Sequence, residues 1–292
     1  MFGSKATFRE RFAAPVERGD TDAAERLRRI TRPFVLRRTK SDPAIVADLP
    51  PKVEADVACP LTVEQATLYQ ASVDQAMADL AAMDGMRRRA RILTLLTELK
   101  QICDHPALYL HERGPLVDRS GKLDRLTAML EETIAEGDAT LVFTQFAEMG
   151  RLIARHLADE LDIDAPLLHG RLAVADRQEL VDGFQHPAGP PVMLASLRAG
   201  GVGLNITRAT HVIHVDRWWN PAVEDQATDR AHRIGQTRTV FVHRLHVAGT
   251  LEERIASLID RKRTIAGQIV QAGEGWLTEL ATDELRRLVE LA

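Results

Sequence analysis

The chain has 292 residues, 45% of them hydrophobic and 27% charged, with a formal net charge of −4. This composition indicates a globular protein with a sizeable apolar core, and it excludes general disorder and the coating of nucleic acid by bulk positive charge. The two cysteines exclude a disulfide framework, and no apolar run reaches the ~20 residues of a membrane span, so no membrane partner is expected.

The first part of the chain is predicted to be mainly helical. Prolines at 50–51 end any preceding helix, and the alternation of apolar residues over 53–57 predicts a strand. A helix is predicted from an N-cap at Thr62 to Met83, and a second from Arg87 to Cys103. The basic cluster within 87–91 is interpreted either as a solvated helix face or as a phosphate contact.

From Ser120 onward, strands and helices alternate in the sequence. This order predicts an α/β fold with a parallel sheet covered by helices on both faces, and ligands of such sheets bind at the carboxyl ends of the strands. The strands are predicted at 141–144, 165–169, 192–195, 211–215 and 239–245, and the helices at 149–161, 174–184, 222–234 and 251–270.

The strongest chemical signal is a run of polar residues that follows Trp218 and Trp219. If one helix extends from Ala222 to Ile234, the side chains at i, i+4 and i+7 share a narrow stripe, namely Gln226, Arg230 and Arg233. Two guanidinium groups held side by side require an anion. That anion is either a carboxylate of the same helix or a phosphoryl group whose charge the arginines neutralise during transfer.

A glycine-rich loop follows the strand predicted at 192–195. Its three glycines allow backbone N–H groups to approach a ligand closely, and Ser196 and Arg198 can bind phosphate oxygens. The pattern is weak alone, and it lacks the third glycine of a dinucleotide-binding fingerprint. No metal site is expected, because the spacing of Cys103, His105 and His111 matches no zinc pattern.

Together these segments resemble the SWI/SNF-type family of helicase-like, ATP-dependent DNA translocases (superfamily 2), in particular the C-terminal lobe of the motor. The similarity covers nearly the whole chain, with several long motifs in the correct order. They are found at residues 33–40, 49–52, 101–106, 141–146, 169–170, 196–205 and 226–236.

The resemblance implies roles for individual residues. Arg230 and Arg233 would reach ATP bound to the family's N-terminal lobe, Gln226 would order the nucleotide interface, and Gly203 and Asn205 would approach the nucleotide. The residues implied to face DNA phosphates are Thr144, Gln145, His169, Gly170, Ser196 and Arg198.

The two tryptophans have two interpretations. Trp218 and Trp219 either pack in the core or, as the resemblance implies, couple the nucleotide side of the lobe to the DNA side. The implied division of the chain is an inter-lobe linker with a helical protrusion at 1–119, a RecA-like lobe at 120–265 and a helical tail at 266–292.

The sequence contains no phosphate-binding Gly-x-x-x-x-Gly-Lys-Ser/Thr pattern, since Gly121-Lys122 lacks the upstream glycine. The chain therefore resembles half of a motor, with ATP and Mg²⁺ bound mainly by the absent N-terminal lobe. Alone it is expected to hydrolyse no ATP. The alternatives are a stand-alone module that binds DNA or a protein complex such as RNA polymerase, and a small-molecule enzyme, which no nucleophile–base pair supports.

The expected partners are double-stranded DNA and the N-terminal RecA-like lobe. The expected location is the nucleoid-associated cytoplasm in a bacterium or the nucleus in a eukaryote.

Overall fold

The computed structural model describes residues 49–197, 205–257, 278 and 280–291, all within the compact unit Leu49–Ala292. The strands are β1 (Lys52–Cys59), β2 (Thr140–Thr144), β3 (Leu167–Leu168), β4 (Val192–Ser196), β5 (His211–His214) and β6 (Val240–Val247). The helices are α1 (Val63–Leu80), α2 (Gly85–Asp104), α3 (Pro106–Leu110), α4 (Gly121–Ala135), α5 (Ala147–Leu161), α6 (Val174–Gln185), α7 (Pro221–Thr228) and α8 (Thr282–Val289). Residues 251–257 are also helical. The predicted roles of Arg198 and Gly203, and the motif at 33–40, lie outside the described residues.

The described strands form one parallel sheet in the order β1-β6-β5-β2-β4-β3, which confirms the predicted α/β class. Successive side chains of a strand point to opposite faces. In β2, Leu141 and Phe143 pack in the same cluster as Val181 of α6, whereas Val142 packs with residues of α4 and α5. Helices thus cover both faces, and β2 and β4 in the centre of the sheet are buried along their whole length, as a doubly covered parallel sheet requires. The edge strand β1 is mostly exposed and carries Lys52, Glu54 and Asp56.

The sheet begins earlier in the chain than the predicted span of residues 120–265. Strand β1 lies within the segment assigned to the linker and protrusion, yet it pairs along its whole length with β6, from Lys52 opposite Val240 to Cys59 opposite Val247. The alternation at 53–57 predicted this strand but not its partner. The helices α1 and α2 are therefore an insertion between two strands of one sheet.

A separate helical core is built by α1, α2, α8 and residues 251–255. Thr62 begins α1 as predicted, since its hydroxyl accepts a hydrogen bond from Gln65 N while the Gln65 side chain accepts one from Thr62 N. Leu285 of α8 is fully buried in this core. No helix in the described ranges combines the length and apolar character that crossing a membrane requires.

The prediction of one helix from Ala222 to Ile234 is wrong, because α7 ends at Thr228. From there Arg230 N bonds to Ala227 O, an i to i−3 contact that tightens the chain into successive turns. The Arg230 carbonyl, which a continuing helix would offer to Ile234 N, instead accepts a hydrogen bond from Ile206 N. Arg230 and Arg233 therefore lie in the turns after α7, and Ile234, the predicted last residue of the helix, is 66% exposed.

Candidate functional site

Four of the predicted DNA-facing residues lie at the carboxyl ends of three adjacent strands. Thr144 ends β2 and is paired in register with Ser196, which ends β4. His169 and Gly170 directly follow β3, whose Leu168 pairs with Ala195 of β4. The parallel register thus gathers residues from distant parts of the sequence at one edge, where sheets of this kind bind ligands.

The end of β2 is held by a buried carboxylate that the sequence analysis missed. Asp216 accepts hydrogen bonds from Thr144 Oγ1 at 2.5 Å and from Gln145 N at 2.9 Å. Burial raises the pKa of Asp216, although Lys122, the Thr144 hydroxyl and Lys100 favour the carboxylate. Thr144 is buried and its hydroxyl already donates a hydrogen bond to Asp216, so a phosphate contact from this side chain stays a prediction. The Gln145 Nε2 atom is buried and has no partner in the described part of the chain.

The residues that follow β3 and end β4 differ in exposure. His169 is half-buried and its Nδ1 accepts a hydrogen bond from Arg171 N at 3.3 Å, while Gly170 is exposed. Ser196 is buried at the end of β4. The exposed Gly170 and half-buried His169 are the positions of this set at which an extended anion can reach the backbone.

The predicted catalytic arginines lie in the turns after α7, which bond to segments that precede β5 and β1. Arg230 is 8% exposed, and its Nε atom has no hydrogen-bond partner among the described residues. Burial and the neighbouring Arg233 lower the pKa of Arg230, and Asp229 opposes them. Arg233 and Gln226 are exposed. A buried guanidinium with an unsatisfied donor is costly unless another molecule supplies the acceptor.

The turn that carries Arg230 is bonded to the segment after the glycine-rich loop. Ile206 N donates to Arg230 O at 2.9 Å, and Gln236 Nε2 donates to Thr207 O at 2.8 Å and to Ala209 O at 3.0 Å. Asn205, predicted to approach the nucleotide, is exposed and adjoins this contact. The structure therefore brings Asn205 beside the arginine turn, and its predicted approach to the nucleotide stays a prediction.

The two tryptophans belong to different cores. Trp219 is buried in the helical core, and Trp218 is half-buried against the sheet. Lys100 of α2 places its Nζ 3.8 Å from the Trp219 ring centroid and donates to Arg217 O at 2.6 Å. Packing accounts for both rings, and the same contacts join α2 to the loop between β5 and α7. A coupling role stays a prediction.

A second group missed by sequence reasoning is a buried ion cluster between the two cores. Lys122 Nζ contacts Asp104 Oδ1 at 2.8 Å and Glu252 Oε1 at 2.7 Å, with all three side chains at most 1% exposed. Burial disfavours the charge on Lys122, but Asp104 and Glu252 outweigh burial and raise its pKa. The signal in the sequence was the Gly121-Lys122 pair. The sequence analysis ruled out a phosphate-binding loop at this pair and assigned Lys122 no other role.

A further buried ion cluster supports the start of α7. Glu224 accepts from Trp218 N at 2.6 Å and from Arg217 Nε at 3.2 Å, and Arg244 Nε lies 3.5 Å from its other oxygen. Arg217 also contacts Asp56 of β1 at 3.1 Å. Glu224 therefore fixes the loop that precedes the arginine turn.

Each candidate metal group contains a residue whose ligand atoms already bond within the protein. His105 Nδ1 accepts from Ala107 N and its Nε2 donates to Leu116 O, so both nitrogens are occupied. Elsewhere Glu136, Asp138 and His211 place one ligand atom each within 4.8 Å of one another. Both Asp138 oxygens are bound by Arg238, at 2.6 and 3.1 Å. Ion pairing accounts for this group without a metal.

The parallel sheet, with its polar loops gathered at the carboxyl edge, defines a RecA-like α/β lobe of the helicase type. Residues 121–235 match the helicase conserved C-terminal domain, and residues 1–108 match the SNF2-related domain.

Comparison with solved structures and curated relatives identifies the family of helicase-type proteins to which this lobe belongs. The chain is similar to the C-terminal domain of the Sulfolobus solfataricus SWI2/SNF2 ATPase, with 41% identity and a TM-score of 0.72 over 82% of this chain and 99% of that one. It is also similar to the core of that ATPase in complex with dsDNA, with 45% identity and a TM-score of 0.75 over 100% of this chain and 61% of that one. The chain belongs to the SWI2/SNF2 family of helicase-like ATPases.

A putative ATP-dependent helicase/translocase, YwqA of Bacillus subtilis, is 45% identical over 99% of this chain and 32% of its own length. The chain spans between about a quarter and a third of the length of this protein and of two further curated relatives, at 32%, 27% and 27%.

Proposed function

We propose that the chain is the C-terminal lobe of an ATP-dependent double-stranded DNA translocase, and that it completes an ATPase site whose phosphate-binding loop belongs to an N-terminal lobe. The observation that carries the proposal is the buried Arg230, whose Nε has no acceptor among the described residues and whose turn also carries the exposed Arg233 and bonds to the segment after Asn205. Family membership and the DNA complex of a similar ATPase core support it.

ATP is the substrate in this proposal. Arg230 and Arg233 neutralise the charge that develops on the transferring γ-phosphoryl group, an effect worth ~10³–10⁵ in rate for such arginines. Gln226 and the loop with Gly203 and Asn205 order the nucleotide interface. The acidic residues that hold Mg²⁺ belong to the N-terminal lobe.

DNA is held through its phosphates at the ends of β2, β4 and β3. The contacting positions are Thr144, Gln145, His169, Gly170, Ser196 and Arg198. Phosphate contacts carry little sequence information, so binding is independent of base sequence. Opening and closing of the cleft between the lobes alternates the two grips and moves the motor along the duplex.

Reconstitution tests the arginine roles. The chain is mixed with its N-terminal lobe, and DNA-stimulated ATP hydrolysis is measured for the wild type, Arg230→Gln and Arg233→Ala. We expect each variant to lose at least about 10³-fold in rate. Arg238→Ala is the matched control, because Arg238 is exposed and paired with Asp138 away from the arginine turn. A wild-type rate for Arg233→Ala would refute the assignment.

The isolated chain is the second test. It should bind duplex DNA with an affinity that falls steeply between about 50 and about 200 mM salt, and it should hydrolyse no ATP. Turnover by the chain alone contradicts the proposal. Salt-dependent DNA binding without restored ATPase activity in the mixture indicates instead a binding module without catalysis.

A further inference from the structure

A cavity of about 600 Å³ opens at the amino ends of β3 and β4, between the end of α5 and the helix α6. Its walls include Pro166, which precedes β3, and Pro191, which precedes β4. This is the edge of the sheet opposite to the predicted DNA-facing residues at the ends of β2, β3 and β4. The volume lies within the range of specific ligand sites, so a function separate from the motor chemistry can be sought here. We call this cavity the α5–α6 groove.

The α5–α6 groove has an apolar floor and an acidic rim. Ile163, Leu180 and Phe184 supply apolar surface, and Phe184 is fully buried beneath the other two, which are half-buried. The charged lining residues are all acidic and all exposed, namely Asp162, Asp164 and Glu179. None of these three carboxylates forms an ion pair within the described part of the chain.

The wall beside α6 is held by one arginine. The Arg208 guanidinium donates to the carbonyls of Phe184, Pro187, Gly189 and Pro190 at 2.5 to 3.3 Å and lies 5.3 Å from the Phe184 ring. Gly189 approaches Gly183 so closely that a Cβ on Gly189 would lie 2.1 Å from the Gly183 carbonyl oxygen. The groove is therefore preformed, which lowers the entropy lost when a ligand binds.

We propose that the α5–α6 groove is a docking site for a protein segment in which a large apolar side chain is flanked by lysine or arginine. The apolar side chain enters above Leu180 and Phe184, and its flanking cations face the three carboxylates. Charge complementarity selects this occupant, since the lining holds three acidic side chains and no basic one. The site is independent of the ATPase proposal.

Fluorescence anisotropy with the full chain tests the docking site. The probe is a labelled nine-residue peptide with a central tryptophan and two lysines on each side. We expect saturable binding that weakens at least about tenfold when the tryptophan is replaced by alanine, and at least about fivefold in the Glu179→Lys protein. Glu131→Lys is the matched control, because Glu131 is an exposed glutamate on α4 outside the groove and its reversal changes net charge equally.

Four outcomes overturn the proposal. The first is no saturable binding up to about 1 mM peptide. The second is equal weakening by Glu179→Lys and Glu131→Lys, which indicates attraction by net charge. The third is binding that ignores the central tryptophan and is displaced fully by spermine, which indicates a polyamine site. The fourth is a dimer of the chain in sedimentation velocity that Glu179→Lys abolishes, which indicates that a second copy occupies the groove.

Discussion

Lys122 and Arg230 are both buried basic residues, but their surroundings differ. Lys122 lies between two carboxylates at 2.7 and 2.8 Å, in a cluster that joins the helical core to the sheet. Arg230 lies in the turn after α7, and its Nε has no acceptor among the described residues. A buried charge with its counter-ions serves the fold, whereas a buried charge with an unsatisfied donor reduces stability until a ligand pairs with it.

The largest expected effect is the loss of Lys122. Lys122→Met leaves Asp104 and Glu252 buried without their cation, and we expect the free energy of unfolding to fall by about 3–5 kcal/mol. Urea unfolding followed by circular dichroism measures it. Lys52→Met is the control, since Lys52 pairs with Glu54 at the surface, and it should cost less than about 1 kcal/mol. A loss of under about 1 kcal/mol for Lys122→Met would break the contrast.

Two arginines that flank α7 provide the next test. Arg217→Met removes a cation that contacts Glu224 and Asp56, and it should reduce the free energy of unfolding by about 2–3 kcal/mol. Arg230→Met replaces a cation whose Nε has no acceptor among the described residues by an apolar side chain. This substitution should change the free energy of unfolding by less than about 1 kcal/mol. The same urea titrations compare them. Equal destabilisation by the two substitutions would show that Arg230 is structural.

The pH dependence of stability tests the packing beneath the arginine turn. His214 bonds through Nε2 to Thr228 Oγ1 at 2.9 Å, and burial, with Arg244 and Arg217, lowers its pKa to about 3. The native state keeps His214 neutral, whereas the unfolded chain protonates it below about pH 6.5, so its stabilisation is present above that pH and is lost as the pH falls towards 3.

When the pH falls from about 7.5 to about 5, His214 should lower the free energy of unfolding by about 2 kcal/mol. Unfolding of the wild type and of His214→Gln at both pH values measures the difference. The variant should lose about 2 kcal/mol less than the wild type over this interval, and identical pH dependences would contradict the prediction.

The smallest expected effect concerns the basic cluster on α2. Arg91 contacts Asp79 at 2.9 Å and Glu98 at 3.2 Å, and Arg88 donates to Leu280 O at 2.8 Å, so these two arginines serve structural contacts. Arg91→Ala should cost less than about 1 kcal/mol of unfolding free energy. Arg87 is exposed, and Arg87→Ala should leave stability unchanged. If only Arg87→Ala weakens DNA binding in a filter assay, the phosphate interpretation applies to that residue.

The pattern of the sequence predicted the strands and most helices, because strands that are covered on both faces form short continuous runs of buried residues between amphipathic helices. It did not predict the end of α7, since that end depends on Ile206 N bonding to Arg230 O, a tertiary contact with no local signal. It also missed the cluster around Lys122, whose partners Asp104 and Glu252 lie 18 and 130 residues away. The motif resemblance assigned Asn205 to the nucleotide interface, and its place beside the arginine turn became visible only through the bond from Ile206 N to Arg230 O.

The pairing of β1 with β6 has a consequence for biosynthesis. Cys59 meets its register partner only at Val247, so β1 emerges from the ribosome long before its hydrogen-bonding neighbour is made. Until then the strand edge is unprotected, and such edges are prone to pairing with other chains. The sheet can be completed only after β6 is translated, so its assembly is sensitive to any truncation before Val247.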